Sequence, residues 1–337
     1  MLRPEQPDPF VRGCAFQDTD DVWYPRADPL DAARLPVDTW TSAQLPVTVR
    51  LEMIGDAEAV EVAYTTETDD LGYRGSGAGT TFALWRGGVC VDEQPAVLGE
   101  GRVRLAMGEH SPDTPATVYL PEGMKPRIMS VGAVGGSIDR APRGPRWLAY
   151  GDSIAEGWVA SGPARAWPAI VGRERGIDVV NLGYAGAARG EMATAEQISR
   201  IPAEVISIGH GTNCWTRTPH SDAQMLANTE AFLDVVRQGH PDTPIVVMTP
   251  VLRPDAERVP NRFGTDLRDI RAAITAVVRE RIDEYEDDRV WLVDGLPLLR
   301  PEHLRDGIHP GDEGHEILAR VFGDAVVEAL GPGYAVT

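Results

Sequence analysis

The rhythm of the chain changes near residue 145, and this change restricts the possible folds more than any other feature. Before it, apolar runs are short, rich in β-branched and aromatic residues, and bounded by Gly, Asp or Pro clusters. They are Val47 to Ile54, Ala59 to Thr66, Thr81 to Trp85, Arg102 to Met107, Ala116 to Leu120 and Arg127 to Val134. Gly72 to Gly79 and Arg86-Gly87-Gly88 carry turn chemistry, and no helical period interrupts the runs. Strands of this length and spacing predict an all-β sandwich over residues 1–140. Gly135 to Pro145 is rich in Gly, Pro and Arg and reads as a linker.

From residue 146 to 337 apolar runs alternate with amphipathic segments. Trp147 to Tyr150, Val179-Val180, Val205 to Ile208, Ile245 to Met248 and Val290 to Val293 read as strands. A helix opens at Trp167-Pro168, where proline suits an early helical position. Ser221 and Gln224 form a capping box, followed by Met225, Thr229, Phe232, Leu233 and Val236 at helical spacing before Gly239. Thr265 is the expected cap of the next helix, with Leu267, Ile270, Ile274, Val277, Val278 and Ile282 as its buried stripe. A last helix starts near Asp312 and turns Ile317, Leu318, Val321 and Phe322 inward. This alternation predicts an α/β domain, a parallel five-stranded sheet covered on both faces.

A length of 337 residues suits two domains, each able to bury a core without disulfides or metals. The net charge is -19, from 32 Lys plus Arg against 51 Asp plus Glu, so nucleic acid and anionic membranes are poor partners. Cys14, Cys90 and Cys214 are odd in number and form no CxxC pair, which suggests neither a disulfide framework nor a zinc site. The opening MLRPEQPDPF lacks the basic start and apolar core of a signal peptide, and no run of 18 apolar residues occurs. A cytoplasmic location is expected.

In a parallel α/β sheet, ligands bind beyond the carboxyl ends of the strands. Four segments there carry chemistry: Gly151-Asp152-Ser153-Ile154, Asn181 to Gly186, Gly209-His210-Gly211-Thr212-Asn213, and Asp306-Gly307-Ile308-His309 before the last helix. Ser153 supplies a hydroxyl and His309 a base for it. Asp306, three residues earlier, can fix the imidazole tautomer. Backbone N–H groups of Ser153 and Gly186, with the Asn213 amide, can donate to an oxyanion. Each residue also has a plainer role open to it. Ser153 can cap a helix, Asp306 and His309 can form a surface turn, Asn213 can close its own loop, and Gly186 can start a helix. Asp152 is expected to be structural, and His210 to bond backbone rather than substrate.

Together the four segments resemble the SGNH (GDSL-type) hydrolase family, whose four letters match Ser153, Gly186, Asn213 and His309 in order. Its DxxH signature matches Asp306 to His309, and Trp167-Pro168-Ala169 looks like the helix after the nucleophile. The resemblance, over roughly Arg146 to Leu330, implies a flavodoxin-like three-layer fold and acyl transfer through a serine acyl-enzyme. It implies Ser153, His309 and Asp306 as a catalytic triad, and Ser153, Gly186 and Asn213 as the oxyanion hole. One position departs from the pattern: Cys214 stands where the family usually has aspartate, which bears on the packing of that loop.

Neither cofactor nor metal is expected. The six-residue steps of His303, His309 and His315 fit no zinc-ligand pattern, and neither GxGxxG nor GxxxxGK[ST] occurs. Ala155 breaks the GxSxG elbow. The expected substrate is a small acyl ester, with an acylated carbohydrate or natural product as the wider class. Three functions stay open: an esterase (the favoured one), an acyltransferase, and an inactive carbohydrate-binding protein. Two-domain relatives with an N-terminal sandwich include carbohydrate acetylesterases and acyltransferases of natural-product pathways. Because a site at the sheet's edge needs a wall and the linker is short, a loop of the sandwich is expected to roof it. Oligomeric state is undetermined.

Overall fold

The computed structural model describes residues 9–69 and 79–334. The turn expected at Gly72 to Gly79 and the opening residues therefore fall almost wholly outside the described part. In the N-terminal half two antiparallel sheets face each other. One runs Val11–Arg12, Arg50–Gly55, Ala116–Tyr119, Thr81–Arg86, Val89–Pro95, and the other Gly99–Ala106, Ala59–Thr66, Pro126–Val134. Leu51, Met53, Phe82, Leu84 and Val118 of the first pack on Val60, Val62, Leu105, Ile128 and Val131 of the second. Alternation along the strands supplies both inner faces, as a sandwich requires.

Three expectations are corrected here. The presumed linker contains a strand, Ile138–Arg140, paired antiparallel with Met53 to Gly55. Val89–Pro95 is also a strand; its side chains are exposed or half-buried, so its sequence shows no apolar run. Finally, a short helix, Val37–Ala43, interrupts the β-rich half. It is only 7 residues long, less than two full turns of apolar periodicity, and its hold comes from distant tertiary contacts.

The second half is a parallel sheet in the order Asp178–Gly183, Arg146–Gly151, Val205–Gly209, Ile245–Met248, Val290–Val293. Numbered within this half, that is 2-1-3-4-5, the flavodoxin-like order. Side chains alternate between two cores. Leu148, Tyr150, Ile206, Ile208 and Val247 meet helices Asp222–Gly239 and Leu267–Asp283 on one face. Trp147, Ala149, Val205 and Val246 meet Trp167–Arg175 and Asp312–Leu330 on the other. The Ser221–Gln224 capping box is present. At the next helix the cap is Asp266, not Thr265, because the carboxylate reaches the N–H groups of Arg268 and Asp269. Ile282 is exposed at the end of that helix, and Ile317 and Val321 are only half-buried.

The edge strand Asp178–Gly183 exposes carbonyls on the side with no neighbouring strand, and unpaired edges are costly when covered. Two buried arginines from the N-terminal half satisfy them. Arg50 donates to Val179 O at 3.0 Å and Asp178 at 3.1 Å, while Arg26 donates to the carbonyls of Asn181 and Gly183. Alternate residues 179, 181 and 183 face the same way because a strand repeats every two residues. The two halves are thus joined by polar bonds at the strand leading into the Gly186 loop.

Candidate active site

The order 2-1-3 creates a switch point beside strand Arg146–Gly151, where the chain leaves to opposite sides of the sheet. Ser153 lies just beyond this strand as the first residue of a one-turn helix, Ser153–Glu156, capped by the Asp152 carboxylate on Ile154 N–H at 2.9 Å. Gly183 ends the neighbouring strand and permits this turn to approach. A Cβ there would sit 2.4 Å from the Glu156 backbone nitrogen. Burial pushes the Asp152 carboxyl above its ordinary range, against weaker opposition from the Ile154 N–H. This supports the structural role expected of Asp152.

Ser153 Oγ lies 2.8 Å from His309 Nε2, and His309 Nδ1 lies 2.7 Å from Asp306 Oδ2. The other Asp306 oxygen accepts the backbone N–H groups of Ile308 at 3.0 Å and His309 at 2.8 Å. Burial acts to raise the Asp306 carboxyl, but the His309 side chain and these N–H groups outweigh it and hold the group below the usual carboxylate range. An ionised Asp306 favours a proton on His309 Nδ1, which leaves Nε2 a lone pair for the serine hydroxyl.

Ser153, Gly186, Asn213 and His309 line a single cavity of about 830 Å³. Gly186 has φ of 75°, a left-handed conformation that glycine adopts without a Cβ penalty. It sits in a loop and not at a helix start. The backbone N–H groups of Ser153 and Gly186 have no acceptor among the described residues. Asn213 Nδ2 donates to Ala187 O at 2.7 Å, and its second hydrogen has no acceptor there. Three donors therefore surround the mouth of the serine–histidine pair, an arrangement able to hold an anionic oxygen.

Cys214 is fully buried, and its thiol points to Arg189 O at 3.8 Å. Burial raises its pKa well above that of a free thiol, so it acts as a small core side chain rather than a nucleophile. His210 is buried between Tyr150 and Phe232, with Nε2 3.3 Å from Thr229 Oγ1, and burial lowers its pKa to about 4. Its partner is a side chain, not backbone, and it does not line the cavity. His315 is equally buried, accepting Trp167 N–H at 3.3 Å. His303 accepts Arg300 N–H at the surface, so these two histidines and His309 serve separate local roles.

Residues 149–317 match the family model described as GDSL-like lipase/acylhydrolase. The chain belongs to that family. It is a GDSL-type esterase or acyltransferase, with the α/β fold and N-terminal antiparallel sheets of its structural neighbours. SsfX3, a salicylyl-acyltransferase from a tetracycline biosynthetic pathway, is 25% identical with a TM-score of 0.78, covering 96% of this chain and 94% of that one. A GDSL-like lipase candidate from Bacteroides ovatus ATCC 8483 is 21% identical at TM-score 0.77, covering 95% of each chain. The acetyl xylan esterase Est2A from the rumen bacterium Butyrivibrio proteoclasticus shares the fold at 14% identity and TM-score 0.64, over 99% of this chain and 100% of that one. Among curated protein sequences, none matches.

The GDSL motifs leave much of the cavity undescribed. Val37, Asp38, Thr41, Ser42 and Leu45 form one wall, and Trp158, Arg217 and Arg253 contribute to others. The expected roof from the N-terminal half is thus a short helix and the turn after it. Ser42 Oγ donates to Glu156 Oε2 at 2.7 Å, joining this wall to the turn that carries Ser153. Trp158 packs on Leu45 and Val47 and lies 6.1 Å from the His309 ring, centre to centre. Next to it Val159 has φ of 68°, a strained conformation for a β-branched residue, of order 1–3 kcal/mol. The only signals in the sequence were Pro36 ahead of an acidic first turn and a tryptophan five residues past the serine. No helix among the described residues is long and apolar enough to cross a membrane.

Proposed function

We propose that the protein is a serine esterase acting on a small acylated substrate, an acylated carbohydrate or natural product, with Ser153, His309 and Asp306 as its triad. The observation that carries this reading is the continuous hydrogen-bonded path from Ser153 Oγ through His309 to Asp306, at 2.8 and 2.7 Å. His309 Nε2 removes the serine proton as Oγ attacks the ester carbonyl. Ser153 N–H, Gly186 N–H and Asn213 Nδ2 hold the resulting oxyanion. The C–O bond to the alcohol then breaks, His309 returns its proton to the departing oxygen, and an acyl-serine remains. Water, deprotonated by His309, attacks this ester and releases the carboxylic acid and free Ser153.

A second reading has an alcohol take the place of that water, making the protein an acyltransferase. Two observations favour it: Val37 to Leu45 of the N-terminal half line the same cavity as the serine and can help hold an acceptor, and the likeness to salicylyl-acyltransferase SsfX3 extends over nearly the whole chain. Fluorophosphonate labelling with mass spectrometry, beside 4-nitrophenyl acetate turnover with and without alcohol acceptors, tests both. Label on Ser153 alone, absent from Ser153→Ala, together with turnover in water, is the expected result. Slow hydrolysis that an acceptor accelerates favours transfer. Absence of both label and turnover refutes the catalytic reading and leaves a binding protein.

A further inference from the structure

We infer that Arg217 makes this enzyme selective for esters whose acyl group ends in a carboxylate, an inference that rests on the serine-hydrolase reading above. The cavity is lined by two arginines, Arg217 and Arg253, and two carboxylates, Asp38 and Glu156. Three of these four charges are already matched by the protein. Glu156 accepts Ser42 Oγ–H at 2.7 Å and Ala185 N–H at 2.6 Å and faces the Arg26 guanidinium at 3.7 Å. Asp38 takes two hydrogen bonds from Arg189, at 2.8 and 2.9 Å. Arg253 pairs with Asp255 at 3.0 and 3.3 Å and lies over the Trp215 ring at 4.9 Å.

Arg217 has neither an ion pair nor a side-chain hydrogen bond among the described residues. Other arginines of the chain also lack partners, but among the charges that line this cavity Arg217 alone is unmatched within the described residues. Arg217 is exposed, but its backbone is held beside the site. The Arg217 N–H closes the one-turn helix Asn213–Thr216 on Asn213 O at 3.1 Å, tying it to the turn that carries the Asn213 amide. Its guanidinium lies over Gly186: a Cβ built there would be 3.1 Å from Cζ and 3.4 Å from Nε and Nη1.

The chemistry of the site orients the ester. Its carbonyl oxygen must face Ser153 N–H, Gly186 N–H and Asn213, and its alcohol must face His309 to receive a proton. The acyl chain is left to run along the Gly186 side, under Arg217. A guanidinium there presents a planar fork that matches a carboxylate with two hydrogen bonds. The net charge of the protein gives an anion no long-range attraction, so discrimination comes from this local pairing.

The test compares mono-4-nitrophenyl adipate with its neutral methyl ester, methyl 4-nitrophenyl adipate, on the full-length wild type, Arg217→Ala and Arg217→Lys. The ratio of kcat/KM for the anionic over the neutral ester is expected to be about threefold to fivefold in the wild type, the size of one solvent-exposed charge pair. The preference should reside in KM, fall to one or below in Arg217→Ala, and be partly kept in Arg217→Lys. A wild-type ratio of one or less, or a ratio that Arg217→Ala leaves unaltered, overturns the inference. Should the wild type release nitrophenol from neither ester, the serine-hydrolase reading fails separately. Calorimetric titration with monomethyl adipate then decides the subsite: binding weakened by Arg217→Ala upholds it, and no binding or equal binding overturns it.

Discussion

Replacing Asn213 with alanine separates catalysis from folding at one position. The side chain is 8% exposed and spends one amide hydrogen on Ala187 O at 2.7 Å, leaving the other for the cavity. Removing an oxyanion donor of this kind lowers kcat by about 10²–10³-fold, equivalent to about 2.7–4 kcal/mol at the transition state. The same change strips Ala187 O of a buried donor, at about 1–3 kcal/mol of stability. A domain with a stability of about 5–15 kcal/mol stays almost fully folded after that loss. The drop in rate therefore cannot arise from unfolding. Steady-state hydrolysis of 4-nitrophenyl acetate should show kcat reduced in that range with KM little changed, while urea denaturation reports the smaller stability loss. The rate of fluorophosphonate labelling at Ser153 should fall with kcat, because phosphonylation also builds negative charge on oxygen. A kcat within about threefold of wild type would remove Asn213 from the oxyanion hole and leave it as a loop anchor for Ala187.

Two further predictions concern stability. His210 titrates at about 4 when folded against 6.5 unfolded, so the unfolded chain binds its proton first. The resulting stability is fully present above pH 6.5 and is lost as pH falls toward 4, by about 3 kcal/mol in all. Urea titrations at pH 7 and pH 5 should differ less in His210→Phe than in wild type, and equal differences would exclude His210 as a source of acid sensitivity. Arg50→Met should cost about 3–5 kcal/mol, since it leaves Asp178 buried beside one more distant arginine, Arg146 at 3.9 Å, and Val179 O without its donor. A melting temperature within a degree or two of wild type would show that the edge strand does not depend on this arginine.

Helices and strands of the second half were legible because burial imposes strict periods on them. Leu267, Ile270, Ile274, Val277 and Val278 recur at helical spacing because one face of their helix is covered, and only Ile282, beyond the cover, breaks the pattern. The Thr265 expectation missed by one residue, a difference that turns on which oxygen reaches two N–H groups. Val89–Pro95 could not be read the same way. Its side chains are exposed or half-buried, so the hairpin with Thr81–Arg86 rests largely on backbone pairing, which leaves no apolar period in the sequence.

The candidate site divides along the same line. Ser153, Gly186, Asn213 and His309 could be picked out in advance because a parallel sheet gathers the segments after its strands at one edge, however far apart they lie in the chain. Their chemistry is also carried by side-chain type and order, which are properties of the sequence itself. Val37, Ser42, Trp158 and Arg217 carry no such mark. Ser42 meets Glu156 across 114 positions of chain, and Arg217 is distinguished from other unpaired arginines only by its place in the cavity wall. Contacts and vacancies of this kind depend on which distant segments the fold brings together. Local propensity records nothing of that meeting, so the walls of the cavity, and with them the choice of substrate, were decided by the tertiary structure alone.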